Sequence, residues 1–215
     1  MEAGLIGMFV TVALAHFLAL LSPGPDFVLL VKNSVRHGVR SSVGVAGGIA
    51  LANAVYILLC LAGVGSLLAA SLPVMIALKI LGGLFLVYLA VMALAARKSS
   101  YQDIAVGGSA EASGQPVLSG FATGFMSGIL NPKNLLFYLS LFTVVLTPDV
   151  NHGFKWLLGA WMTLVVFCWD VAVVYLLSGA RVRQHFSRLA FYIDKVTGVI
   201  LGAIGLSIVK SSLSR

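Results

Sequence analysis

Apolar residues occupy this chain in long blocks separated by short polar clusters. A helix needs roughly 20 apolar residues to cross the hydrocarbon core of a bilayer. Six blocks meet that length, at residues 4–30, 42–69, 73–95, 118–146, 154–178 and 190–212. Pro73 and Pro148 fall where short turns between spans are expected. Residues 96–117 (ARKSSYQDIAVGGSAEASGQPV) form the one long polar stretch. Its Gly, Ser and Ala content marks a flexible linker. The pattern predicts an all-α integral membrane protein of six transmembrane helices, with halves at 1–95 and 118–215 joined by that linker.

Each half has three spans, so the second half enters the bilayer from the side opposite the first. That is the condition for an inverted-topology repeat. Two interruptions rhyme across the halves. The first span carries Ser22-Pro23-Gly24-Pro25-Asp26 and the fourth carries Asn131-Pro132-Lys133-Asn134, each late in its block and followed by more apolar sequence. The next spans match weakly, through Asn53 and Tyr56 against Asp170 and Tyr175. Proline within a helix removes a donor and clashes with the preceding turn, at a cost of about 3 kcal/mol. Within lipid the freed backbone groups must find partners. A break also creates a fresh helix N-terminus, whose N–H groups and dipole attract anions. Paired breaks in two halves point to a transport site, although a lone proline can be a plain kink.

Composition supports the membrane reading. The chain is 60% hydrophobic and 10% charged, against roughly 25% charged in soluble domains. Its net charge of +7 could suggest a nucleic-acid partner, but no basic face interleaved with aromatics is present. The basic residues instead report orientation. Lys32, Arg36, Arg40, Arg97, Lys98, Arg181, Arg183, Arg188 and Lys195 lie on one set of loops, and Lys155, Lys210 and Arg215 on the other, with Lys79 a few residues into a span on that side. The richer set is expected in the cytoplasm with the linker, leaving both termini outside. The N-terminal block lacks a basic n-region and is read as a first span, not a cleaved signal.

Asp26, Lys133 and Asp170 sit within apolar runs, Asp170 deepest. A charge at mid-membrane costs about 2.5–3.5 kcal/mol on insertion scales and marks a functional candidate; a structural ion pair is the competing account. A free amino acid suits this set because its ammonium and carboxylate both need partners in a low-dielectric site. Asp26 or Asp170 could hold the ammonium. Lys133 and the broken-helix N-termini could hold the carboxylate. Asn53, Asn131, Asn134, Tyr138 and Tyr175 add neutral hydrogen-bonding groups. A buried carboxylate can also carry a coupling proton. Gly44 and Gly48, Gly120, Gly124 and Gly128, and Gly198 and Gly202 recur every four residues, a spacing that lets helices approach closely and is compatible with a homodimer.

These segments resemble the lysine-exporter and homoserine/threonine-resistance family of bacterial amino-acid exporters. The resemblance rests on HFLALLSPGPDFVLL (16–30), KNSVRHGVRSSVGVAGG (32–48) and GFATGFMSGILNPKNLLFYLSLF (120–142), with FYIDKVTGVILGAIGLSIV less telling. It implies export of an amino acid across the inner membrane, driven by the proton-motive force. Pro23, Gly24, Pro25, Asp26, Asn131, Pro132 and Lys133 match its motifs; Asp170 rests on depth alone. Substrates in such a family are basic or neutral. A single net acid deep in the bundle favours a small neutral one such as threonine or homoserine.

Two other readings compete. Cys60 and Cys168 could serve a membrane thiol–disulfide electron carrier, but neither neighbours a proline and neither break contains a cysteine. A metal exporter would need a ligand cluster, whereas His16, His37, His152 and His185 are scattered. Hydrolase motifs and a phosphate-binding loop are absent, so neither an enzyme nor a cofactor or resident metal is expected.

Overall fold

The computed structural model describes residues 2–64, 72–98, 115–145 and 150–213. Pro148 and most of the polar linker lie outside them. Seven α-helices occur among the described residues: α1 Glu2–Leu21, α2 Pro25–Leu59 continued by a π turn Cys60–Val64, α3 Leu72–Ala95, α4 Val117–Leu130, α5 Pro132–Val145, α6 His152–Ser178 and α7 Ala180–Leu213. No strand occurs among them.

The first and fourth blocks are each split in two, as the proline motifs lead one to expect. Helix α2 is itself two arms. Gly38 has φ +80° and ψ 172°, a backbone region that glycine enters without the penalty a Cβ would bring. Asn33 donates to Ser42 Oγ at 2.8 Å and to Ser41 Oγ at 3.3 Å. In a straight helix residues eight apart are separated by about 12 Å, so the chain doubles back at Gly38. The first arm completes the first block and the second arm is the second block.

Two expectations are corrected. Pro73 is not in a connecting turn but within the first turn of α3, where its missing N–H costs nothing. The segment before residue 190 is not a loop: α7 begins at Ala180 and carries Arg181, Arg183 and Arg188 on helix. Hydropathy marks what is in lipid, not what is helical. Arg183 secures that corner by donating to the carbonyls of Leu177 and Ser178, the ends of α6 that lack helical partners.

The main packing joins the first half to the second: α2 against α4 and α6, and α3 against α7 and α5. The α2–α4 seam is backbone on backbone. A Cβ on Gly124 would lie 2.0 Å from the Val45 carbonyl oxygen, and one on Gly48 2.1 Å from that of Phe121. A Cβ on Gly205 of α7 would lie 2.6 Å from the Gly83 carbonyl oxygen of α3. The glycine rows that were compatible with a homodimer are thus spent inside one chain. A core of Val12, Tyr56, Leu86, Phe142, Leu158 and Met162 lies between the layers, while Leu118, Leu130 and Leu157 are 70% exposed or more. A bundle with aliphatic side chains turned outward on several helices is built for lipid. Three runs, Pro25–Ala62, His152–Ser178 and Ala180–Leu213, are long and apolar enough to cross a bilayer, and Leu5–Leu21, Lys79–Ala95 and Val117–Leu130 are shorter apolar helices.

Candidate functional site

The two breaks meet. At the first, α1 ends at Leu21 and α2 starts at Pro25, with Gly24 extended between them. Pro25 opens the helix because the first turn needs no N–H from it. At the second, α4 ends at Leu130, Asn131 is extended (φ −80°, ψ 107°), and α5 starts at Pro132. A residue before proline is driven out of the helical region, and Asn131 uses that position: its Oδ1 accepts from the Lys133 N–H at 3.0 Å, capping α5.

Each break is closed by the other. The Asp26 carboxylate stands on the first turn of α2, yet it accepts from Ser127 Oγ at 2.6 Å, Asn131 Nδ2 at 2.9 Å and Asn134 Nδ2 at 2.7 Å, all around the second break. In return, Lys133 Nζ donates to the carbonyls of Ala19 (3.3 Å) and Ser22 (3.1 Å) at the end of α1. Gly24 lies over this lysine; a Cβ there would sit 3.3 Å from Nζ. The Tyr56 hydroxyl donates to the Ile129 carbonyl at the end of α4. Carbonyls that a helix end would leave orphaned in lipid are therefore met by side chains far away in sequence.

A cavity of about 60 Å³ opens beside this junction, between α1, both arms of α2, α5 and α6. Among the predicted residues, Ser22, Gly24, Asp26, Asn53, Asn131, Lys133, Asn134, Tyr138 and Asp170 line it. Asp170 is 6% exposed, and its Oδ2 has no hydrogen-bond partner among the described residues. His16, also buried, presents Nε2 3.3 Å from the Tyr138 hydroxyl while its Nδ1 has no hydrogen-bond partner among the described residues. Asn53 turns its amide back to the Ile49 carbonyl. Pro23, Pro25 and Pro132 line a second, larger chamber of about 740 Å³, bounded also by α3, α5 and α7. Ser22, Gly24, Asn131 and Lys133 border both spaces.

Some expectations do not meet at the site. Tyr175 is 61% exposed on the outside of α6. Cys60 is buried and Cys168 exposed, so the two thiols of the dithiol reading stand in different environments. No group of three His, Cys, Asp or Glu side chains comes together among the described residues. One acid was missed. Asp194 of α7 is 5% exposed and accepts from Ser22 Oγ at 2.7 Å; Lys133 lies within electrostatic reach of it and of Asp26. The argument from a single deep acid therefore loses its basis. No proline marks Asp194, and its neighbour Lys195 made the segment read as a loop margin. His16 was visible only as a polar residue inside the first block.

A bundle with an apolar exterior, paired helix breaks and buried opposite charges at their junction defines a polytopic membrane protein with a polar site of solute dimensions. The chain belongs to the LysE type translocator family, whose family model matches residues 17–212. It is 25% identical to the threonine efflux protein of Salmonella typhimurium over 212 residues, covering 95% of this chain and 98% of that one. It is 28% identical over 206 residues to the leucine efflux protein of Salmonella choleraesuis, covering 94% and 92%. A membrane protein of Pseudomonas aeruginosa is 30% identical over 215 residues, covering 96% of each. No solved structure matches the chain.

Proposed function

We propose that this protein exports a neutral amino acid from the bacterial cytoplasm across the inner membrane in exchange for protons. The observation that carries the reading is the clasp of the two helix breaks beside a cavity holding a buried Asp170 carboxylate oxygen with no partner among the described residues. The names of the threonine and leucine efflux relatives support the substrate class.

In this reading the six spans form two inverted three-helix halves, with the linker cytoplasmic and both termini outside. Asp170 is the exchange group. A buried charged oxygen without a donor is costly, and either a proton or a substrate ammonium supplies the missing partner. Lys133 attracts the substrate carboxylate, and Asn53, Asn131 and Asn134 offer neutral hydrogen bonds around it. Asp26 already accepts three hydrogen bonds, so in this state it positions the second break and does not hold substrate. Ser22, Pro23, Gly24, Pro25 and Pro132 shape the two breaks. Substrate enters between the halves from the cytoplasm, and a proton arriving from outside releases it.

The test is transport in proteoliposomes under an imposed pH gradient. Asp170→Asn is expected to abolish gradient-driven movement while amino-acid exchange at equal pH persists, because Asn retains a hydrogen-bonding group but takes no proton. Gradient-driven export that survives Asp170→Asn would overturn the coupling assignment.

A further inference from the structure

The larger chamber carries a chemistry that the clasp does not use. Its volume is about 740 Å³, more than ten times that of the small cavity. At its base stand two opposite charges, Lys133 of α5 and the buried Asp194 of α7. Its walls are aliphatic and aromatic, among them Phe85, Leu89 and Met92 of α3 and Leu201 of α7. Met92 is half exposed, so the chamber opens toward the surface of the bundle on the α3 side.

A base with one cation and one anion complements a zwitterion, and an apolar wall beyond it complements an apolar side chain. Beyond the polar base the wall carries one hydroxyl, that of Tyr88, so a threonine or homoserine hydroxyl projected onto the aliphatic side gives up its water partners with little in return, which is costly. A second full charge, as on a lysine side chain, would fare worse. Resting on the reading of this chain as an amino-acid exporter, we infer that the chamber is its substrate-selecting vestibule and that the preferred cargo is an amino acid with a bulky apolar side chain, of leucine or phenylalanine size. The zwitterionic head sits against Asp194 and Lys133. Lys133, which borders both spaces, then separates the vestibule from the small cavity where Asp170 lies.

The experiment is counterflow in proteoliposomes, comparing leucine, phenylalanine, threonine and alanine as exchange partners. The expected result is exchange of leucine and phenylalanine at least about tenfold faster than threonine, the scale on which apolar pockets discriminate. Leu89→Trp, which narrows the chamber, should erase that preference by lowering leucine and phenylalanine exchange toward the threonine rate. Met92→Trp, introduced from the half-exposed face, repeats the test should the first variant fail to fold. Preference for threonine or alanine, unchanged by either tryptophan, would overturn the vestibule and leave the exporter reading standing. Fast leucine exchange indifferent to both tryptophans would also overturn it, as expected if a lipid chain occupies the groove. Failure of all twenty amino acids to exchange would remove the exporter reading itself.

Discussion

Replacement of Asp26 by alanine removes the acceptor on which three donors converge, at 2.6, 2.9 and 2.7 Å. Stranding a buried donor costs about 1–3 kcal/mol. Ser127 lies on α4 and its hydroxyl can rotate to a carbonyl of its own helix, so two amides bear most of the loss. Asn134 retains a 3.4 Å contact to the Gly128 carbonyl and Asn131 retains its cap on Lys133. The net expectation is a destabilisation of about 2–4 kcal/mol. At about 2–4 °C per kcal/mol for a chain of this size, the Tm falls by about 5–15 °C in a detergent melt. Asp26→Asn, which keeps one acceptor oxygen, should fall about half as far. The double-mutant cycle of Asp26→Ala with Asn134→Ala should show a coupling above about 0.5 kcal/mol, since the two are in direct contact. An Asp26→Ala protein that melts within about 2 °C of the parent, a change of less than about 1 kcal/mol on that scale, would refute the clasp as a structural element.

Gly124→Ala places a methyl group 2.0 Å from the Val45 carbonyl oxygen and must push α2 from α4; a loss of at least about 1–3 kcal/mol is expected in the same melt, whereas Gly7→Ala, with nothing within 4 Å, should be silent. Asn151 caps α6 by accepting from the Gly153 N–H at 2.7 Å, so Asn151→Ala should cost about 1 kcal/mol without altering which amino acids exchange.

The breaks were legible in the sequence because proline is a local signal: Pro23, Pro25 and Pro132 announce that the helix stops, whatever surrounds them. The charges beside them were legible for the same reason, since Asp26 and Lys133 stand out from apolar neighbours. That each break closes the other was not legible, because the partners are 101–114 residues apart and no spacing rule links them. Asp194 was hidden by the basic character of the segment before it, where the helical run of α7 starts ten residues ahead of its apolar part. Tyr175 shows the opposite failure. It matched Tyr56 by position in its block, yet helical phase turns Tyr56 inward to Ile129 and Tyr175 outward.

The reciprocal clasp has a consequence for biosynthesis. When the ribosome has released only the first three blocks, the Ala19 and Ser22 carbonyls await a lysine at 133, and the Asp26 carboxylate awaits amides at 131 and 134. The nascent first half therefore carries a charged, unsealed gap within the bilayer until the fourth block follows it. A polypeptide halted in the linker would display that gap indefinitely, in the form of a membrane segment whose polar groups have no mates. Arrival of the fourth block is thus the step that seals this junction, ahead of the fifth and sixth.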